Sequence, residues 1–176
     1  MMMKQQIEND FWKKYIDWLK QNISQYNVND NIYRITLPFL DRNNDYVDIY
    51  ILDKGNGLYT ITDDGYTISD LKLGGFDIGA SAKRRSLLDF IVSSYGINRS
   101  EYNELMVDCT ENDLPVKKHM LAQCMVKVSD MAMNYEIKII GLVDTLESKL
   151  DSKQIQEIPG IVQDILNNVN KRNAVL

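Results

Sequence analysis

The chain is poor in the residues that punctuate or cross-link proteins: its 176 positions hold three prolines, nine glycines, two cysteines and one histidine. So few prolines and glycines argue against long disordered tracts, and 44% hydrophobic with 26% charged residues suits a chain that packs throughout. At this length it forms one full core, or a smaller core with a helical appendage. Cys109 and Cys124 form no CxxC pair and have no neighbouring histidines, so buried thiols in a reducing compartment are expected instead of a zinc site or a disulfide framework. His119 is the sole histidine; beyond a pairing with Cys109 or Cys124 it leaves no base for a nucleophilic triad, and it is expected to cap or pack.

A surplus of positive charge is also missing. The formal net charge is −5, which weighs against general nucleic-acid binding, where Lys and Arg must neutralise phosphates. The local run Lys83-Arg84-Arg85 falls in the first turn of an expected helix, where cations oppose the macrodipole, and reads as solvated surface. Gly55-Asn56-Gly57 and Gly74-Gly75 lack the spacing and lysine of a phosphate-binding loop and read as turns. No apolar run approaches the roughly eighteen residues of a membrane span, and the N-terminal residues show no secretory h-region, so a cytoplasmic protein without membrane contact is expected.

What is present is periodicity. Phe11, Trp12, Tyr15, Ile16, Trp18, Leu19 and Ile23 recur at three- and four-residue spacings, predicting an amphipathic opening helix over 8–23 whose two tryptophans anchor it on a sheet. After the polar stretch 27–31 the period becomes two. Ile32–Leu37, stopped by Pro38, Tyr46–Leu52 and Leu58–Thr62 predict a three-stranded antiparallel meander, with Val47, Ile49 and Ile51 facing the opening helix and Asp48 and Tyr50 facing away. Residues 67–73 fit a short helix or a strand. Ser81 is placed to cap a helix over 82–95 with Leu87, Leu88, Phe90, Ile91 and Val92 on its apolar face and Gly96 past its end, and Glu104–Thr110 reads as a fourth strand.

From Leu114 a helical pattern continues through Met120, Leu121, Cys124, Val128, Met131, Tyr135, Ile139, Leu142, Leu146 and Leu150, with Pro115 in its first turn and Gly141 as a point of interruption. Unbroken to 151 it would run roughly 50 Å, too long for one small core, so its far end is expected to pack on a last helix over 161–170, past the Pro159-Gly160 hinge, or on another chain. The expected fold is therefore α+β: helix, three-stranded antiparallel meander, helix, fourth strand, helical extension. An α/β core domain is expected over 1–112, with 113–176 packing on it or mediating a homodimer.

Two stretches carry a family resemblance. Leu37-Pro38-Phe39-Leu40-Asp41-Arg42-Asn43-Asn44-Asp45-Tyr46 and Tyr59-Thr60-Ile61-Thr62-Asp63-Asp64-Gly65-Tyr66-Thr67-Ile68-Ser69-Asp70-Leu71, with the later Lys83-Arg84-Arg85 and Pro115–Leu121, resemble the bacterial and phage family known as domain of unknown function 1828 over about residues 8–135. The resemblance implies a phage or prophage setting and no particular chemistry.

The order of elements also matches restriction-endonuclease-like cores, which need an acid on the second strand and acid-x-Lys on the third to hold Mg²⁺ and activate water. Asp45 or Asp48 supplies the first acid, but the third strand offers Thr60-Ile61-Thr62, and the nearest acid-x-Lys, Asp70-Leu71-Lys72, lies beyond a turn. A displaced nuclease site of Asp45, Asp48, Asp70 and Lys72 is thus the alternative reading. The aspartates themselves suit turn closure and capping. The same topology resembles the small dimeric chaperones of secretion systems, an analogy of fold alone. The expected function is non-enzymatic: an accessory protein, without cofactor or metal, that binds and modulates a host protein such as a defence enzyme. Asp41, Arg42, Asp45, Asp63, Asp64, Tyr66 and Asp70 form the candidate partner surface.

Overall fold

The structure, a computed structural model, describes residues 2–149, with side chains from 11 to 133. Its elements are α1 (Met2–Asn22), β1 (Ser24–Asn29), β2 (Ile32–Leu40), β3 (Tyr46–Asp53), β4 (Leu58–Thr62), α2 (Tyr66–Leu73), a single 3-10 turn (Ile78–Ala80), α3 (Ala82–Ser94), β5 (Asn98–Arg99), β6 (Leu105–Thr110) and α4 (Leu114–Lys149). The strands form one antiparallel sheet in the order β1-β2-β3-β4-β6-β5. This is the expected α+β fold: β2, β3 and β4 are the meander, and β6, expected as the fourth strand, pairs with β4.

Alternation along the strands divides the sheet into two unlike faces. Cross-strand partners Ile35 and Ile49, Leu37 and Val47, Ile51 and Ile61, and Ile61 and Val107 are buried on one of them. Over this face lie Ile68 and Leu71 of α2, Leu88, Ile91 and Val92 of α3, and Leu121, Cys124, Met125, Val128 and Met131 of α4, all buried. The opposite face is polar: Thr36 stands across from Asp48 and donates its hydroxyl hydrogen bond to that carboxylate, and Thr60 does the same to Asp108 at 2.6 Å.

That division corrects the reading of the opening helix. The period correctly marks α1, but Trp12 and Trp18 are 65% and 46% exposed, with Phe11, Tyr15 and Ile16 exposed beside them and Tyr15 stacked on Trp18 at 6.1 Å. Helices α2, α3 and α4 already cover the apolar sheet face, and the other face offers α1 little to bury against. Val47, Ile49 and Ile51 therefore face the later helices; Val47 lines a slot together with Met125 and Ser129 of α4.

Further differences are local. The polar segment before β2 is itself an edge strand, β1, joined to β2 by a tight turn. Strand β2 continues past Pro38, which sits where the register with β3 shifts between Leu37 and Leu40 and β1 has already ended, the kind of bulged position that tolerates a missing N–H. The ambiguous segment 67–73 is helical. On α3, Leu87 and Phe90 are exposed while Leu88, Ile91 and Val92 are buried, and Gly96 takes φ 63° past the helix end as expected. Ser81 stands at the N-cap without a side-chain capping bond. Both cysteines are free and buried, as expected; burial first, then the Asp63 charge, pushes the Cys124 thiol up to about 12.

The chain divides into two compact units, Met1–Met131 and Ala132–Leu176. The first unit thus extends beyond the boundary expected at 112, because the buried face of α4 from Leu121 to Met131 completes its core. Helix α4 runs through Gly141 without interruption. The hinge at Pro159-Gly160, the helix expected over 161–170 and the pairing of the C-terminal helices lie outside the described residues.

Candidate functional site

The two signature stretches meet at one end of the sheet. In the β2–β3 loop, Asp41 Oδ1 accepts from the backbone N–H groups of Asn43 at 2.8 Å and Asp45 at 3.0 Å, folding the loop back on itself. The Arg42 backbone N–H reaches Ser129 Oγ of α4 at 3.3 Å. Its guanidinium donates from Nε and Nη2 to Asp70 Oδ2 at 3.3 and 3.1 Å and to the Asp70 carbonyl at 3.3 Å, while Asn43 Nδ2 adds a 3.1 Å bond to the same carboxylate oxygen. The Arg42 and Asp70 side chains are only 10% and 20% exposed, so this pair is well shielded from solvent. A Cβ on Gly74 would stand 2.3 Å from Arg42 Nη2, so a side chain there would displace the guanidinium from Asp70.

A second fastening joins β4, α2 and β6. Asp63 is fully buried; its Oδ1 accepts from the N–H groups of Gly65 at 3.0 Å and Leu105 at 2.7 Å, and its Oδ2 from that of Thr67 at 3.0 Å. It thereby satisfies amides at the start of α2 that the helix cannot pair itself. Burial raises the Asp63 carboxyl above its ordinary range, opposed by hydrogen bonds from Thr67, Leu105 and Gly65. Asp64 and Gly65 take left-handed turn conformations, φ 54° and 73°.

Between these fastenings opens a recess of about 380 Å³ lined by Thr36, Asp45, Tyr46, Asp48, Tyr50, Asp63 and Tyr66. Tyr46, Asp48 and Tyr50 alternate along β3 onto the polar face, and Tyr66 enters from the first turn of α2. A narrow, water-sized slot lined by Asp41, Asp70, Thr67 and Met125 shares Tyr46 and Tyr66 with the recess. Asp48 is engaged by Thr36 and stands 3.9 Å from Arg34. The Asp45 carboxylate has no ion pair or hydrogen bond among the described residues. Partial burial, followed by the charges of Asp41, Asp70 and Asp45, raises the Tyr66 phenol above its ordinary value, with Arg42 offsetting part of the effect.

A family model for the domain of unknown function DUF1828 matches residues 37–128, just over half of the chain. The chain belongs to that family. The matched span is narrower than the 8–135 read from the sequence; it leaves out α1 and β1 and takes in both fastenings except Ser129. No curated protein and no solved structure matches the chain.

Within this DUF1828 domain the expected partner surface is gathered at one sheet end, with divided duties. Asp41, Arg42 and Asp70 build the first fastening, Asp63 the second, Asp64 is exposed on the turn, and Asp45 and Tyr66 line the recess. Of the quartet considered for hydrolysis, Asp45 and Asp48 line the recess, Asp70 is held by Arg42 in the neighbouring slot, and Lys72 is exposed late in α2. Among the described residues no group of three or more His, Cys, Asp or Glu side chains is arranged to hold a metal ion.

The sequence reading left Thr36 and Tyr46 out of the site. Their signal lay in the period-two pattern, which puts Tyr46 on the face of Asp48 and Tyr50 and sets Thr36 opposite Asp48. Elsewhere, Arg84 lies 4.3 Å over the Phe76 ring and donates to the Asp77 carbonyl, and Arg85 donates to that of Gly79, so these cations fasten the turn before α3. His119 packs edge-on against Phe39 at 6.2 Å. Among the described residues no helix is long and apolar enough to cross a membrane.

Proposed function

We propose that this DUF1828 protein is a cytoplasmic accessory protein of phage or prophage type, which acts by binding and modulating a host protein and catalyses no reaction itself. The observation that carries this reading is the use made of the signature residues: Asp41, Arg42, Asp63 and Asp70 are spent on backbone and ion-pair bonds that hold a tyrosine-lined acidic recess open. A residue committed in this way displays neighbours to a partner; of the carboxylates that hydrolysis would need free for metal and water, Asp70 is held by Arg42 and Asp48 by Thr36. The acidic balance of the chain favours a basic partner surface by long-range attraction.

The test is affinity capture from host lysate with the full chain, followed by mass spectrometry, run beside Asp45→Asn and Tyr66→Ala. A protein retained by the wild type and depleted with both variants is expected. Mg²⁺-dependent cleavage of DNA or RNA by the purified chain, lost in Asp48→Ala, would replace this reading with the nuclease.

A further inference from the structure

We propose that the recess between β3 and α2 is a receptor for an arginine side chain presented by the protein partner. This rests on the contact reading above and names the group that would be taken. Its volume of about 380 Å³ lies at the small end of ligand sites, which run from roughly 300 to 1,000 Å³, and suits one extended side chain. Its lining combines three tyrosine rings with the Asp45 and Asp48 carboxylates, the pairing of aromatic surface and negative charge that attracts organic cations.

Three observations favour a guanidinium. Asp45 is exposed and its carboxylate has no partner among the described residues, while Asp48 shares one part-exposed ion pair with Arg34 at 3.9 Å. Partial burial first, and then the charges of Asp41, Asp70 and Asp45, raise the Tyr66 phenol above its ordinary value, so negative charge stands beside this ring. The chain also already uses this chemistry around the recess: Arg42 forks onto Asp70 in the neighbouring slot, and Arg34, across from Tyr50, lies 5.0 Å over the Tyr26 ring. A planar fork that stacks and donates along several directions fits such a lining better than a compact ammonium. Since among the described residues no three His, Cys, Asp or Glu side chains are arranged to hold a metal ion, a diffuse organic cation suits the recess better.

The experiment is an amide NMR titration of the full chain with N-acetyl-arginine-N′-methylamide, with the lysine and citrulline analogues and agmatine as separate arms. Saturable shifts confined to residues around Tyr46, Asp48, Tyr50 and Tyr66 are expected for the arginine compound, with Kd in the millimolar range. Citrulline, of the same shape without the charge, should give none, lysine at least about threefold weaker binding, and Asp45→Asn a loss of about tenfold, the order of a charge-assisted hydrogen bond. The Asp45 carboxylate holds nothing in the fold among the described residues, so the free variant should shift only amides close to position 45 and keep the dispersion of the wild type. Absence of saturation, equal response to citrulline, lysine as strong as arginine, or shifts unaltered in Asp45→Asn would overturn the assignment. Binding of agmatine without the arginine diamide would move it to a small-molecule cation. Arginine binding with no captured host protein would sink the contact reading alone, and capture indifferent to Asp45→Asn would sink the arginine receptor alone.

Discussion

Arg42, Asp70 and Gly74 interlock, and the consequence is measurable in single residues. Arg42→Ala would leave a shielded Asp70 carboxylate without its cation and remove three hydrogen bonds, a loss of about 2–3 kcal/mol in urea unfolding. Gly74→Ala forces the guanidinium aside and should cost about 1–3 kcal/mol. In the Arg42→Ala background that second penalty should vanish, because Gly74 has φ −75° and an alanine there is otherwise unstrained. Additive losses would show that the crowding is not between these two groups. Asp63 supplies a pH test. Its folded-state value is raised by burial, so the native state binds a proton more readily than the unfolded chain, and its contribution to stability is present at low pH and lost as pH rises from the ordinary carboxylate range through the raised value. Carboxyl carbon NMR should find Asp63 titrating above the ordinary carboxylate range; a value at or below that range would contradict the assignment. The turn-closing duty of these aspartates was legible in the sequence from their spacing. Which of them would be left over for a partner was not, since Asp70 is engaged by an arginine 28 positions away.

At the scale of elements, the exposed stripe of α1 separates what periodicity reveals from what it conceals. A three-and-four spacing states that a helix has an apolar face; it does not state what that face meets, and here α2, α3 and α4 had filled the apolar side of the sheet. Tryptophan emission close to that of the free side chain, with near-complete quenching by acrylamide, is therefore expected from Trp12 and Trp18. Blue-shifted, protected emission would show the stripe to be covered. Trp12→Ala should change stability by no more than about 0.5 kcal/mol, while Ile49→Ala, fully buried at the centre of the sheet, should cost about 2–5 kcal/mol. Strand β1 escaped sequence reading for a complementary reason: in Ser24–Asn29 the alternation is limited to Tyr26 and Val28, both exposed, and the segment owes its shape to backbone pairing with β2. Strand β6 was legible because Leu105, Val107 and Cys109 alternate with Met106, Asp108 and Thr110.

For the whole molecule, the order of helix, meander, helix, strand and helix was readable because each segment carries a strong local period. The extent of the compact unit was not, since the same apolar spacing on α4 serves the core up to Met131 and continues past it. Hydrogen exchange should separate these regions, with the slowest amides in β3, β4, β6 and residues 121–131 and faster exchange in α1 and the edge strand β1. Uniform protection across all of them would mean that α1 shares the global unfolding unit. The bare position behind Arg42 also carries an evolutionary corollary. A lineage that acquires a side chain at 74 would push the guanidinium at 42 off the aspartate at 70, weakening the reason to keep either charge, so these three sites should tend to be inherited or exchanged as a set when related chains are aligned.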